Sequence, residues 1–366
     1  MPQVLESSSK SVKIATIVGA RPQFIKIALV SKKLRQTGFH EVVIHTGQHY
    51  DYNMSKAFFD ELNIPEPDYH LRVGSGSHGK QTGLMLRRIE QVLCKEKPNI
   101  VLVYGDTNST LAGALAAAKL NLTVAHIEAG LRSFNRAMPE EINRVVTDHI
   151  SDVLFCPTET SVRNLANEGI SEGVYLVGDV MYDSALHYGR LAEEHSTILD
   201  KLHLDAKGYF LATIHRPQNA DSPDNLSNII EALNELPLPT ILPLHPRTKR
   251  MMLKNIPTDP SFCSLIPPVS YLDMLILEKN ASAIFTDSGG VQKEAYFFKV
   301  PCITLRDETE WVETVESGWN VLVGPDKDKI LSAIQQIDSP PSRHKQFYGN
   351  GKSSSKIVEI IAEEIA

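Results

Sequence analysis

Residues 12–34 read VKIATIVGARPQFIKIALVSKKL. A β-branched run over 12–18 stops at Gly19, Arg21 and Pro22 follow, and apolar residues then recur at helical spacing from 24 to 34. Short apolar strand, turn and amphipathic helix in that order make one βα unit. The alternation returns with strands at 41–46, 100–104, 123–127, 153–156 and 174–177, and a helix of small residues over 109–120. Continuous apolar strands separated by helices predict a parallel sheet covered on both faces. A second series follows, with strands at 209–214, 240–244, 283–286 and 301–305 and helices at 225–236, 271–279 and 291–298. Between the series, residues 183–202 read as a polar helix with few apolar anchors. The chain is therefore expected to be α/β, with an N-terminal Rossmann-like domain over 1–182, a C-terminal one over 183–366, and a cleft between them. Helical spacing returns at 329–337 and 354–365, and the last of these helices could pack back on the first domain.

Composition agrees with this division. The 366 residues are 42% hydrophobic and 22% charged, which excludes a disordered or disulfide-stapled chain. Single cores stop growing beyond roughly 250 residues, so two domains are expected at this length. With 37 basic and 44 acidic residues the net charge is −7. That excludes a surface given over to nucleic acid or anionic lipid and leaves room for a local basic pocket. Cys94, Cys156, Cys263 and Cys302 are far apart without C-x-x-C spacing, so buried reduced thiols are expected, with no metal cluster. The opening MPQVLESSSK lacks the pattern of a signal peptide, and no run approaches the ~20 apolar residues of a membrane span. The expected location is the cytoplasm.

In open α/β sheets ligands lie beyond the carboxyl ends of the strands, so the polar residues there carry the argument. The stretch 286–294, TDSGGVQKE, puts Ser288, Gly289 and Gly290 between a strand and a helix. Glycines allow close approach of a ligand, and the helix start offers N–H groups and a positive dipole end, which suits a diphosphate. An ordinary turn with Ser288 as N-cap fits the same residues. Glu294, one turn on, suits ribose hydroxyls or the helix dipole. Arg21 in a strand-end turn and Lys26 on the helix after it supply two cations suited to a departing diphosphate, or else a solvated surface; Arg306, after the strand at 301–305, is a third.

Three carboxylates mark the first domain: Asp106 in YGDTN, Glu128 in HIEAG and Glu140 in MPEE. Asp106 and Glu128 end strands beside glycines, where partial desolvation favours acid-base work. The alternatives are an N-cap for Asp106 and a first-turn helix acid for Glu140, but three such sites together point to an acid-base centre. His215 ends a strand in ATIHRP and could hold or shuttle a proton; His245 after 240–244 is placed similarly. No H-E-x-x-H, G-x-S-x-G, P-loop or G-x-G-x-x-G pattern occurs.

These residues together resemble the non-hydrolysing UDP-N-acetylglucosamine 2-epimerases over nearly the whole chain. The matching motifs, in order, are G-x-R-P-x-x-x-K at 19–26, G-D-T at 105–107, H-x-E-A-G-L at 126–131, P-E-E-x-N-R at 139–144, T-x-H-R at 213–216 and D-S-G-G-x-Q-x-E at 287–294. The resemblance implies two lobes of the glycosyltransferase-B type, usually a homodimer, acting in polysaccharide biosynthesis. It implies interconversion of UDP-N-acetylglucosamine and UDP-N-acetylmannosamine by UDP elimination and re-addition through a 2-acetamidoglucal. By the same resemblance Asp106, Glu128 and Glu140 transfer protons, with His215 near the phosphates or sugar. Arg21, Lys26, His215, Ser288, Gly289, Gly290 and Arg306 hold the diphosphate, Glu294 the ribose, and the backbone from Val269 to Met274 the uracil. Neither a redox cofactor nor a metal is required.

The chain departs from common members of that family, which carry G-T-R-P-E, T-x-H-R-x-E-N and R-P-E-x-V. Here Ala20, Gln23, Gln218 and the run Trp311, Val312, Glu313 stand in those places. The departures suggest a subgroup with a modified sugar, for instance a UDP-2,3-diacetamido-2,3-dideoxy-glucuronate. In 45–51, HTGQHYD, Gln48 is kept while Tyr50 and Asp51 replace the polar residues of relatives that have a regulatory UDP-sugar site. A UDP-sugar glycosyltransferase is the competing reading; it shares the diphosphate cradle but needs an acceptor. The glycine- and serine-rich stretch 74–79 is expected to be a loop that orders over substrate.

Overall fold

The computed structural model describes residues 12–48, 58–244, 246–255, 263–337 and 341–365. It divides into two compact units, Met1–Asp183 with Tyr348–Ala366, and Ser184–Phe347.

The first unit is built on strands β1 (Lys13–Val18), β2 (His40–His45), β3 (Tyr69–His70), β4 (Ile100–Tyr104), β5 (Thr123–Ile127), β6 (Val153–Cys156) and β7 (Val174–Leu176). All pair in parallel, in the order β3-β2-β1-β4-β5-β6-β7. Parallel strands are covered on both faces, which is why β4, IVLVY, is buried along its whole length. Helix Arg21–Gln36 buries Phe24, Ile27, Ala28, Ser31 and Leu34, one stripe at helical spacing. Helix Asn108–Lys119 buries mostly small residues, and helix His78–Glu96 packs against it. The final helix, Ser353–Ile365, packs on helix Arg21–Gln36 within this unit. Its start is held by Asp183, whose carboxylate accepts from the N–H groups of Ser353 at 3.1 Å and Ser354 at 2.7 Å. An anion there satisfies N–H groups that a helix start leaves unpaired.

The second unit is built on β8 (Phe210–Thr213), β9 (Thr240–Pro243), β10 (Cys263–Ile266), β11 (Ala283–Thr286), β12 (Cys302–Thr304) and β13 (Asn320–Leu322). These too are parallel, ordered β10-β9-β8-β11-β12-β13. Its core gathers Phe210, Leu226, Ile229, Leu233, Phe285, Ile303 and Ile330. The α/β class with two parallel sheets is as the sequence indicated. In each sheet the strand order reverses beside the first strand, between β1 and β4 and between β8 and β11, and a crevice forms at such a switch point.

Several local expectations are corrected. Helices begin earlier than their apolar periodicity, because capping and first-turn residues carry no hydrophobic signal. Arg21 is thus the first residue of helix Arg21–Gln36, not part of a turn, and Gly289 and Gly290 open helix Gly289–Phe297. The stretch 74–79 is not wholly loop, since helix His78–Glu96 starts within it. Helix Val180–His195 buries Val180, Met181, Ala185, Tyr188 and Ala192, so the segment is better anchored than its polarity suggested. Burial pushes the thiols of Cys156, Cys263 and Cys302 up to about 12, whereas Cys94 is exposed. Among the described residues, no helix is long and apolar enough to cross a membrane.

Candidate active site

The polar residues singled out in the sequence cluster at strand ends, in one group per unit. In the first unit, Gly105 and Asp106 follow β4, Glu128 follows β5, and Lys26 lies on the helix after β1. Lys26 Nζ forms an ion pair with Glu128 Oε2, and both side chains are buried. Glu128 adopts φ +77°, a left-handed value that costs a residue with a Cβ on the order of 1–3 kcal/mol. Such strain persists only where the surroundings fix it, and here the N–H groups of Glu128 and Ala129 both donate to Phe155 O at 3.1 Å. Gly105 has φ +64°, and a Cβ on it would lie 2.9 Å from Lys26 Nζ and 3.0 Å from Glu128 Oε2. The turn that carries Asp106 is therefore pressed against the ion pair.

Asp106 is tied to helix Pro139–His149. Arg144 Nη2 donates to Asp106 Oδ2 at 2.7 Å, and Asn143 Nδ2 donates to Asp106 O at 2.8 Å. Arg144, 2% exposed, also donates from Nη1 to Glu141 Oε2 at 2.7 Å. Burial pushes the Glu141 carboxyl up, but the Ser133 N–H, the Arg144 guanidinium and the Phe134 N–H outweigh it and hold the group below the usual carboxylate range. Glu140, the residue expected from the sequence, is half-buried in the first turn of the same helix. Asp106 is not the N-cap of the helix at 108; Thr107 caps it, accepting from Thr110 N. Glu128 and Asp106 thus each meet a cation, partners that the reading of partly desolvated strand-end carboxylates did not include.

Gln23 braces this region. Its Oε1 accepts from the N–H groups of Gly19 at 2.8 Å and Ala20 at 3.0 Å, while Nε2 donates to Tyr104 O at 2.8 Å and Thr110 Oγ1 at 3.1 Å. An amide can donate and accept at once, as these four partners demand. Arg21 Cζ stands 4.3 Å from the centroid of the Phe58 ring. Gln48 Oε1 accepts from Ser109 N at 3.0 Å and Ser109 Oγ at 2.7 Å, while Tyr50 and Asp51 lie outside the described residues.

In the second unit, Asp287 after β11 is fully buried and joins two motifs. Its carboxylate accepts from His215 N at 3.0 Å, Arg216 N at 3.0 Å and Asn219 Nδ2 at 3.3 Å. His215 Nδ1 lies 3.3 Å from Asp287 Oδ1, with the imidazole side chain 39% exposed. Ser288 is the N-cap of helix Gly289–Phe297, accepting from Val291 N. A Cβ on Gly289 would sit 2.6 Å from Glu310 Oε1, so a side chain there would require that carboxylate to shift. Arg306, buried, donates from Nη2 to Glu310 Oε2 at 3.2 Å. Lys293 Nζ lies 3.9 Å from the centroid of the Trp311 ring, both residues buried.

Glu294, buried one turn into that helix, accepts from Tyr271 Oη at 2.9 Å. Beside it, both carboxyl oxygens of Glu278 are buried without a hydrogen-bond partner among the described residues. Burial, and then the charge of Glu294, push the Glu278 carboxyl well above the ordinary range. Of the stretch expected to meet uracil, Val269 is half-buried in a loop, but Met274 is helical and its N–H is donated to Ser270 O at 3.0 Å. The Met274 main chain is therefore already used inside helix Tyr271–Asn280. His245 lies outside the described residues.

Sequence reading assigns no role to Asn143, Arg144, Glu141 or Asp287, nor to the side chain of Tyr271. Asn143 and Arg144 stand three and four residues after Glu140, one helical turn, so that spacing alone could have found them.

A family model for UDP-N-acetylglucosamine 2-epimerase matches residues 32–362. The chain belongs to the UDP-N-acetylglucosamine 2-epimerase family. It is 58% identical over 358 residues to a UDP-N-acetylglucosamine 2-epimerase homolog of Methanococcus maripaludis, covering 95% of this chain and 99% of that one. It is 51% identical over 363 residues to the UDP-2,3-diacetamido-2,3-dideoxy-D-glucuronate 2-epimerase of Pseudomonas aeruginosa, covering 96% of this chain and 99% of that one. The crystal structure of the Methanocaldococcus jannaschii UDP-GlcNAc 2-epimerase in complex with UDP-GlcNAc and UDP superposes with a TM-score of 0.90 at 47% identity, covering 96% of this chain and 100% of that one. As a 2-epimerase the chain is an isomerase, and its fold is of the glycosyltransferase-B type, shared with a solved glycosyltransferase.

Proposed function

We propose that the chain interconverts UDP-N-acetylglucosamine and UDP-N-acetylmannosamine without hydrolysis. The sugar C2–H is weakly acidic, so a base removes it as the C1–O bond breaks; the C–H electrons form the C1–C2 double bond, and the C1–O electrons leave with UDP. The resulting 2-acetamidoglucal takes UDP back at C1 while a proton reaches the opposite face of C2. Such a sequence needs proton donors and acceptors for two faces, each contributing typically ~10²- to 10⁴-fold, and cations or N–H groups for the departing diphosphate. Asp106, Glu128 and Glu140 are assigned to proton transfer. His215, the Ser288, Gly289 and Gly290 helix start, Arg306 and Arg21 are assigned to the diphosphate, Glu294 to the ribose, and the loop at Val269 to the uracil. Lys26, assigned to the diphosphate from its motif, is here given the further task of holding Glu128.

The observation that carries this reading is the gathering of Asp106 and Glu128, at the ends of neighbouring strands of one sheet, around Lys26 of the helix after β1. The test is incubation with UDP-N-acetylglucosamine and no acceptor. A mixture with UDP-N-acetylmannosamine and no free sugar is expected; dependence on an acceptor, or release of free N-acetylmannosamine, would overturn it.

A second reading of the substrate, a diacetamido uronate on UDP, is favoured by one feature. Lys293 and Trp311 stack in the cluster beside Gly289, and Trp311 is one of the departures from common members. A substrate panel containing both sugars decides between them by kcat/KM. We also propose a cytoplasmic homodimer that serves polysaccharide biosynthesis. Ile142 and Val146, one turn apart, expose apolar side chains, as does Phe134. That exposure supports association, which sedimentation velocity measures.

A further inference from the structure

His126 lies on β5, two residues before Glu128, and is fully buried. Its Nε2 is 2.7 Å from Gly105 O, and its Nδ1 is 2.7 Å from Asp148 Oδ1. A carbonyl oxygen only accepts, so Nε2 carries a proton. Asp148 is fully buried as well and also accepts from Arg132 Nη1 at 2.7 Å and Gly130 N at 3.1 Å. Burial pushes the Asp148 carboxyl up, but the His126 bond and charge and the Arg132 guanidinium outweigh it and hold the group below its ordinary range. An ionised carboxylate only accepts, so Nδ1 carries a proton too. Arg132 continues the chain, donating from Nε and Nη2 to both oxygens of Glu168 at 2.7 Å. Two cations and two anions then alternate from the interior out to the exposed Glu168, and alternation is the arrangement in which buried charge is tolerated.

The carbonyl at the end of this chain belongs to the turn that presents Asp106. The Gly105 N–H donates to Ile127 O at 2.9 Å, so the Gly105 residue is held to β5 by both its N–H and its carbonyl. Asn143 and Arg144 hold Asp106 from the other side, and the Lys26–Glu128 pair lies against the Gly105 Cα. Rotation of the Gly105–Asp106 peptide would shift the Asp106 carboxylate relative to Glu128. We propose that His126 is a positioning residue, an imidazolium that donates from both nitrogens and fixes the Gly105–Asp106 turn against the Lys26–Glu128 pair. It touches no substrate and acts through Asp106 and Glu128, so the inference rests on their proposed part in proton transfer.

The test uses the full chain. Nitrogen-15 NMR of the His126 ring at neutral pH should show both nitrogens protonated; a ring with one bare nitrogen overturns the proposal, whatever the enzyme's substrate. The variant His126→Gln keeps one donor and loses the other. Its kcat with the wild-type substrate should fall about 10- to 100-fold, as for a misplacement approaching 1 Å, with KM and UDP affinity by calorimetry within about twofold of wild type. Amide exchange at Gly105 and Asp106 should quicken in the same variant. Unchanged kcat in folded His126→Gln, or equal losses in UDP affinity and kcat, overturns the proposal. If the variant does not fold, the ring protonation measured in the wild type still decides. Absence of epimerase activity in the wild type with a doubly protonated ring would instead sink the proposed function alone.

Discussion

The two units hold their polar groups by different means. In the first, carboxylates at strand ends and on helix Pro139–His149 meet basic side chains: Lys26 for Glu128, Arg144 for Asp106 and Glu141, and Arg132 with His126 for Asp148. In the second, the carboxylate of Asp287 gathers main-chain N–H groups from the loop after β8 and a helix start supplies further N–H groups, alongside the buried Arg306–Glu310 ion pair. Buried ion pairs lose several kcal/mol when one partner is removed, because the other charge is left dry. Main-chain clamps lose less per bond, about 1–3 kcal/mol for each orphaned group. The first arrangement suits groups whose charge must be held in place while protons move; the second suits a fixed shape for a diphosphate. Turnover should therefore be the fragile quantity in one unit, and nucleotide affinity in the other.

Arg144→Met should break this comparison hardest. It leaves Asp106 and Glu141 without their guanidinium, at a cost of about 3–5 kcal/mol in unfolding free energy. Denaturant unfolding should show that loss, with kcat reduced by at least ~10²-fold and UDP affinity nearly unchanged. Next, Asp287→Ala orphans the N–H groups of His215 and Arg216, at about 1–3 kcal/mol for each. Here calorimetry should show the larger effect on UDP affinity, and a variant that binds UDP as well as wild type would contradict the division of labour.

Gln23→Leu removes the brace between the turn after β1 and the end of β4. The expected loss is about 1–3 kcal/mol, read by thermal unfolding. A last test sharpens the contrast through pH. Glu278 keeps its proton in the fold, while an unfolded carboxyl releases it near its ordinary value of 4.5. The folded state then binds more protons than the unfolded one, so this contribution is fully present below about 4.5 and is lost as pH rises through the raised folded value. Glu278→Gln has no such proton to hold. Its stability relative to wild type should rise between pH 5 and pH 8 by up to about 1.4 kcal/mol per unit, whereas a pH-independent difference would show that Glu278 is already ionised.

Both sheets were legible in the sequence because their central strands are buried on two faces and read as unbroken apolar runs. Among the edge strands β7 was legible too, but β3, β10 and β13 were not. β3 is two residues long, and β10 and β13 mix exposed or half-buried positions with buried ones, which blurs an apolar run. Helix His78–Glu96 also escaped notice, since it buries only Gln81, Met85, Ile89, Val92 and Leu93. At the candidate site, residue types at strand ends pointed to Asp106, Glu128, His215 and Ser288. Sequence could not show that Arg144 reaches Asp106 across 38 positions, or Lys26 Glu128 across 102, because such pairs exist only once the strand order brings distant turns together.

Proton exchange at the sugar C2 tests the central claim most directly. The wild-type enzyme, given UDP-N-acetylglucosamine or its diacetamido uronate counterpart in deuterated water without acceptor, should yield the C2 epimer with deuterium at C2 and UDP still attached, as followed by proton NMR. Epimer that retains its original C2 proton, or no turnover of either sugar until an acceptor is added, would contradict the account.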